Sequence, residues 1–476
     1  MAKDQSAGVP RNGQLDNDST TFKSVEKERW TMDSQQKSIL GDVSARTIKT
    51  TEAARKVRAF TKGISQKAHE AAAAGEPIAY CFIMSLHDEI LRSMDITPIW
   101  TENYAAISSV KRQAERFISK AEADGYARDL CTYCTINIGF DALRQECGGI
   151  PPESPDGGME KPTVMLGTGM MICDPRYKSY QIAQRYSDVP MYVHGLLWPP
   201  ADAKVAEVQD YYVKYLTEEL RGLVDFLEKH TNKKMDWDRL NDTIDLSNRT
   251  IQVWHDAYEL RKAVPAPMPT EDAMNTMVPG HFWMGTQQAF DFYQDLYNEL
   301  KQRVADKVGV IPEEKYRILW AAGLPPWFAL AIFNYFESLG AVFPMETTYH
   351  PPVPVEIPSS AKHPLERLAW RFFRQWTYRH EAAQRRSGDP AVEQVLDMIE
   401  DYKIDGILAH RAATCRTVHV GQIHLMNVLK DYCNLPTLIL ESDICDVQAF
   451  DDAGTMAKID SFVDLLEANK QTKRNA

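Results

Sequence analysis

Eight cysteines are the residues of this chain best suited to chemistry: Cys81, Cys131, Cys134, Cys147, Cys173, Cys415, Cys433 and Cys445. A thiolate is a strong nucleophile and a ligand for soft metals, and it forms most readily beside a helix N-terminus. Two of the eight stand where such help is expected. Cys173 closes the apolar run KPTVMLGTGMMIC (161–173) and precedes a helix-like DPRYKSYQIAQRY. Cys415 follows IDGILAH (404–410) and lies ahead of a helix starting near Gly421. A third candidate is LCTYCTINIGF, where Cys131 and Cys134 lie three apart. The separations of 42 residues from Cys131 to Cys173 and 242 from Cys173 to Cys415 match neither a zinc ribbon nor a ferredoxin run, whose ligands are local. A shared site would have to be assembled by the fold. The alternative is that all eight are core or surface thiols.

The remaining motifs are quieter. No GxxxxGK[ST] occurs, and GTG at 167–169 lacks the third glycine and acidic partner of a dinucleotide fingerprint. No HExxH occurs among the 12 histidines. His410, His419 and His424 lie near Cys415, where a structural hydrogen bond is the default role for each. The aromatic stretches HFW (281–283), Trp320 and PPWF (325–328), which includes Trp327, either line an aryl pocket or fill the core.

The elements that must position these residues alternate between strand and helix. Val57, Phe60, Ile64, Ala68 and Ala71 form one helical stripe over about 51–74, ended by Gly75. PIAYCFIM (77–84), the run ending at Cys173 and VPMYVHGL (189–196) are short apolar segments that read as buried parallel strands. From about 203 to 305 the pattern is helical. Strand and helix then alternate again through YRILWAA (316–322), FALAIFNYFESLG, AVFPME, IDGILAH, GQIHLMNVLKDY, LPTLILES (435–442) and IDSFVDLLEANK. The expected fold is α/β: two flavodoxin/Rossmann-like parallel-sheet lobes with helical N-terminal and middle segments. The expected divisions are a polar arm over 1–50, a first lobe with its leading helix over 51–202, a helical section over 203–310 and a second lobe over 311–476. FPMETTYHPPVPVEIPSSAKHP reads as a long loop of the kind that serves as a lid. In open α/β sheets the carboxyl ends of strands face the ligand crevice, and Cys173 and Cys415 both lie just past such ends.

Length and composition set the bounds. With 476 residues, 44% hydrophobic and 25% charged, the chain has ordinary globular composition and ample core. The net charge of −12 argues against nucleic acid or an anionic membrane as partner. The opening residues lack the apolar stretch of a secretory signal, and the longest apolar run, Trp320 to Phe333, is broken by Gly323, Pro325 and Pro326. A cytoplasmic location with reduced thiols is the expectation.

The segments CTY, CDPRYK with RYSDVPMY, TCR…GQ and ESDICD make the chain resemble the 2-hydroxyacyl-CoA dehydratase D-component family from about residue 76 to 468. That family includes the two non-ATPase subunits of ATP-dependent benzoyl-CoA reductases. The long helical middle and LPPWFALAIFNYFESLGAVF are most similar to the larger cluster-bearing reductase subunit. The resemblance implies a [4Fe–4S] cluster held between two flavodoxin-like lobes by Cys131, Cys173 and Cys415, with Cys134 as rival for the first place. Three cysteines for four irons would leave one iron open to water, substrate or another ligand, which suits chemistry. The resemblance also implies an acid at the start of HDEILRS, filled by Asp88 or Glu89, with Glu89 preferred. A helix N-terminal acid complementing the dipole is the alternative.

By the same resemblance the expected function is dearomatising reduction of benzoyl-CoA or a related aroyl-CoA in one-electron steps. The expected partners are a paralogous cluster-bearing subunit, two ATPase-type activator subunits and ferredoxin as electron donor. Arg176, Lys178 and Arg416, next to the implied ligand loops, are candidates for the CoA phosphates, and Trp327 for the aryl ring. An (R)-2-hydroxyacyl-CoA dehydratase subunit, or a non-catalytic electron relay beside a paralogue, are the competing readings.

Overall fold

A computed structural model of the protein describes residues 38–41, 50–84, 86–168, 173–197 and 199–475. The polar arm expected over 1–50 lies outside the described residues, apart from 38–41 and Thr50. In the short piece 38–41, the Ile39 amide donates to Asp452 Oδ1 at 2.8 Å and the Leu40 carbonyl accepts from Arg112.

Two four-stranded parallel sheets form the frame. The first comprises β1 (Ile78–Cys81), β2 (Thr97–Trp100), β3 (Val164–Thr168) and β4 (Met191–His194), in the order β2-β1-β3-β4. The second comprises β5 (Tyr316–Trp320), β6 (Ala341–Glu346), β7 (Gly406–Ala412) and β8 (Thr437–Ser442), in the order β6-β5-β7-β8. Both therefore follow the flavodoxin-like 2-1-3-4 order, with a switch point between first and third strands. Every residue of β1, β3, β5 and β6 is buried, because helices cover both faces of each parallel sheet; this is why these strands read as unbroken apolar runs.

The leading helix spans Glu52–Ala74, capped by the Thr51 hydroxyl, which accepts from the Ala54 amide, and ended by Gly75 at φ 69°. Between the sheets run four helices, Val205–Thr231, Trp237–Glu259, Thr270–Phe282 and Gln287–Ala305. They pack on the leading helix, on each other and on Pro364–Thr377, a helix not anticipated from the sequence. One continuous apolar core runs from Ile39 to Leu466 through both sheets and these helices. The Pro-rich segment divides: β6 takes Phe343–Glu346, and 347–363 is loop. Two close approaches demand glycine. A Cβ on Gly139 would sit 1.9 Å from the Phe117 carbonyl oxygen, where helices Ala114–Ala123 and Thr132–Cys147 touch; one on Gly323, at φ 138°, would sit 2.3 Å from the His410 carbonyl oxygen. Among the described residues no helix is long and apolar enough to cross a membrane.

Candidate functional site

Three cysteines each stand immediately before a helix. Cys131 caps Thr132–Cys147, Cys173 caps Asp174–Ser187, and Cys415 caps the turn Arg416–His419 that leads into Gln422–Tyr432. Three polar links tie two of these turns to one another. Thr132 Oγ1 donates to Asp443 Oδ1 at 2.7 Å, the Thr414 hydroxyl donates to Asp443 Oδ2, and the Thr132 amide donates to Thr414 Oγ1 at 3.3 Å. One carboxylate thus clasps the residue after Cys131 to the residue before Cys415. Arg416 pairs with Asp174 at 3.4 Å, joining the Cys415 and Cys173 turns. Cys134 Sγ donates to the Pro175 carbonyl at 3.6 Å, joining the Cys131 and Cys173 helices. The clasp itself is anchored, since Asp443 Oδ1 also accepts the Cys445 and Asp446 amides at 2.9 and 3.0 Å.

The thiols feel one another. The side-chain interaction with Cys134 holds the Cys131 thiol below its usual range; burial opposes this, and the amides of Cys134 and Tyr133 support it. Cys134 is pushed well up by that same interaction with Cys131, followed by burial. Burial raises Cys173 to about 12 and Cys415 further, and charge at Cys131 adds to both. Of the adjacent pair, Cys131 is held low and Cys134 is pushed up. All eight cysteines are free thiols. Cys81, Cys433 and Cys445 donate to the carbonyls of Ile99, Leu429 and Ala105, and Cys147 is exposed. Among the described residues no three His, Cys, Asp or Glu side chains stand close enough to hold a single metal ion.

Tyr133 lies between Cys131 and Cys134, and its hydroxyl accepts from Trp327 Nε1. Trp327 is fixed by its amide, which donates to the Ile444 carbonyl at 3.0 Å, and its ring centroid lies 6.0 Å from that of Tyr349. Tyr349 is near enough to Cys415 for charge there to help raise its phenol. The other aromatic candidates are core: Trp283 donates to the Phe60 carbonyl at 3.2 Å and Trp320 to the Gly323 carbonyl at 2.9 Å.

The two acids of the HDE segment divide. Glu89 is buried in an ion pair with Arg371; burial pushes its carboxyl up, but the Arg371 charge and hydrogen bond outweigh that and hold it below the usual range. Asp88 is raised from 3.8 to about 7 by burial and by the neighbouring Glu89 charge. Of the two acids, Asp88 is the one whose carboxyl is raised toward neutrality, while Glu89 is held ionised by Arg371. Arg371 also donates to Asn248 Oδ1 at 3.1 Å and lines a cavity of about 240 Å³ with Gln252, Gln375 and the loop residues Pro354, Val355 and Ile357.

The basic candidates separate as well. Arg176 is buried, donates to the Ile83 carbonyl at 2.6 Å, pairs with Glu102 at 3.8 Å and stacks over the Phe82 ring at 4.5 Å, so its charge is engaged inside the first lobe. Lys178 is exposed, and Arg416 is exposed while paired to Asp174. Sequence reasoning passed over Asp443, Tyr349 and Arg371. Asp443 was within reach, because it lies in the ESDICD segment. Arg371 was not, since its partner is 282 residues away.

The family profile described as 2-hydroxyglutaryl-CoA dehydratase, D-component, matches residues 84–466. The chain is 23% identical over 428 residues to lactoyl-CoA dehydratase subunit alpha of Anaerotignum propionicum, covering 87% of this chain and 97% of that protein. It is 22% identical over 445 residues to the (R)-phenyllactyl-CoA dehydratase alpha subunit of Clostridium sporogenes, covering 90% and 98%. A benzoyl-CoA reductase subunit of Thauera aromatica is 24% identical over 413 residues, covering 83% and 90%. With the profile spanning most of its length, the chain belongs to the 2-hydroxyglutaryl-CoA dehydratase D-component family.

Proposed function

We propose that the chain is the iron–sulfur subunit of an ATP-dependent benzoyl-CoA-type (aroyl-CoA) reductase, with a [4Fe–4S] cluster on Cys131, Cys173 and Cys415. The observation that supports this most is the union of the three cysteine-bearing turns through Asp443, Asp174–Arg416 and Cys134–Pro175. The donor set fits the group. Thiolates are the ligands iron–sulfur clusters take, and cluster ligands bind separate irons, so they stand further apart than the ligands of one ion. Bound there, the cluster would supply single electrons to an acyl thioester, whose carbonyl delocalises the added charge. Trp327, Tyr133 and Tyr349 offer an aromatic wall beside the cysteines for an aryl ring. Asp88 holds a proton near neutral pH, so it can supply one to a reduced substrate, while Glu89 stays ionised and keeps Arg371 in place. Arg416 and Lys178, both exposed, are the basic groups available to CoA phosphates; Arg176, engaged internally, shapes the wall instead. In this reading a paralogous subunit completes the crevice, and ATPase-type activators and ferredoxin deliver the electrons.

A second reading, an (R)-2-hydroxyacyl-CoA dehydratase subunit, is favoured by the likeness to lactoyl-CoA dehydratase subunit alpha over 97% of that protein. One assay separates the two. Anaerobic enzyme with ATP and a strong reductant should convert benzoyl-CoA to a dienoyl-CoA; elimination of water from a 2-hydroxyacyl-CoA, with no turnover of benzoyl-CoA, would establish the second reading in place of the first.

A further inference from the structure

Two histidines at the carboxyl edge of the first sheet have their ring nitrogens unused. His194 ends β4 and is fully buried; His87, on the loop after β1, is 1% exposed. Their ring centroids lie 5.4 Å apart at 64°. Among the described residues neither Nδ1 nor Nε2 of either ring has a hydrogen-bond partner. Leaving a buried polar group unsatisfied is costly, because its bonds to water are given up and not replaced. His410 in the second lobe shows the ordinary solution: its Nδ1 meets the Leu324 carbonyl and its Nε2 meets Ser442 Oγ at 2.7 Å.

The loop that delivers His87 is itself strained. Met84 at φ 60° and Leu86 at φ 59° both occupy the left-handed region, which side chains of their size disfavour. Strain spent to seat an unpartnered side chain points to a guest. Burial, the neighbouring histidine and Arg176 keep His87 neutral, and burial with Arg176 does the same for His194. A neutral imidazole offers one N–H and one lone pair. Two such N–H groups suit an oxygen atom that carries, or is about to carry, negative charge.

We propose that His87 and His194 bind the thioester carbonyl oxygen of the acyl-CoA substrate, each donating one ring N–H. The substrate class rests on the reading above, and either enzyme there would use the same contact. Charge grows on this oxygen when an electron enters the acyl group, so the two donors hold it more strongly then than in the resting substrate. No proton is transferred: both stay on nitrogen. The neutral state suits this task, because a neutral imidazole polarises a carbonyl without giving up its proton.

The test is isotope-edited infrared spectroscopy of benzoyl-CoA, ¹³C-labelled at the thioester carbonyl, bound to the anaerobic holo-complex. The carbonyl band should lie at lower wavenumber than in free benzoyl-CoA. In His87→Leu and His194→Leu it should move back toward the free position while cluster content is kept, and kcat should fall by about 10²–10³ with KM little changed. His194→Gln, which keeps a donor, should recover part of the shift, and the Gln variants serve if the Leu variants do not fold. A band unchanged in every variant, with benzoyl-CoA still bound, overturns the proposal. If benzoyl-CoA does not bind the wild type, the reductase reading fails instead, and labelled lactoyl-CoA applies the same test to the histidines.

Discussion

The two lobes share one strand order and differ in what they place at the crevice. In each, the third strand leads to a cysteine: β3 to Cys173 and β7 to Cys415. The loops after the first strands diverge. The one after β5 is Gly323, Leu324 and two prolines ahead of Trp327, packed against β7 and closed by hydrogen bonds. The one after β1 carries His87, with bare imidazole nitrogens, and leads into the helix Asp88–Ser93, whose first carboxyl is raised to about 7. At these loops the second lobe closes its polar groups on itself, through Trp320 Nε1 and the Gly323 carbonyl, while the first lobe leaves the ring nitrogens of His87 bare. A doubled scaffold can thus give equal cysteine positions and unequal chemistry.

The equality is the easier half to break. Cys173→Ala and Cys415→Ala should each abolish activity and bound iron, whereas the exposed Cys147→Ala should keep both; iron analysis beside the activity assay reads this. If only one of the two changes mattered, the lobes would not be equivalent at their third strands.

Ion pairs probe the inequality. Arg261 and Glu346, both fully buried, meet at 2.9 Å beside the second sheet, and Arg371 with Glu89 is the corresponding buried pair beside the first. Arg261→Met and Arg371→Met each leave a buried carboxylate uncompensated and should cost about 3–5 kcal/mol in denaturant unfolding. Only Arg371→Met should also alter turnover, since its partner Glu89 stands beside Asp88, the proposed proton donor.

Asp88 gives the first lobe a pH dependence. Its native carboxyl titrates at about 7 against 3.8 when unfolded, so the folded chain binds the proton more tightly between those values. Stability should fall as pH rises through that window, by up to about 4 kcal/mol from this group. Asp88→Asn should flatten the fall, as read by unfolding at pH 5 and pH 8. Asp443→Asn tests the clasp that holds the lobes' cysteine turns together. Losing one charged acceptor should cost about 2 kcal/mol and loosen bound iron without abolishing it.

Much of the frame was legible because buried parallel strands are apolar runs. Seven of the eight strands stood out this way, from Ile78–Cys81 to Thr437–Ser442. β2, Thr-Pro-Ile-Trp, did not, because a polar residue and a proline make up half of it. Strand order was hidden, because pairing joins residues far apart in sequence, as Ala79 with Val164. The same distance hid the partner of Glu89. Sequence singled out the acid, but only the fold brings Arg371 to it and leaves Asp88 as the group near neutrality. Cysteine spacing alone left the thiols as ordinary core residues; three helix starts tied by Asp443 and Asp174–Arg416 are a fact of tertiary structure.

Iron and acid-labile sulfide analysis of the anaerobically purified protein tests the central claim most directly. About four irons and about four sulfides per chain are expected for a [4Fe–4S] cluster on Cys131, Cys173 and Cys415. A wild-type chain that purifies without iron, and takes up none on anaerobic reconstitution, would contradict it.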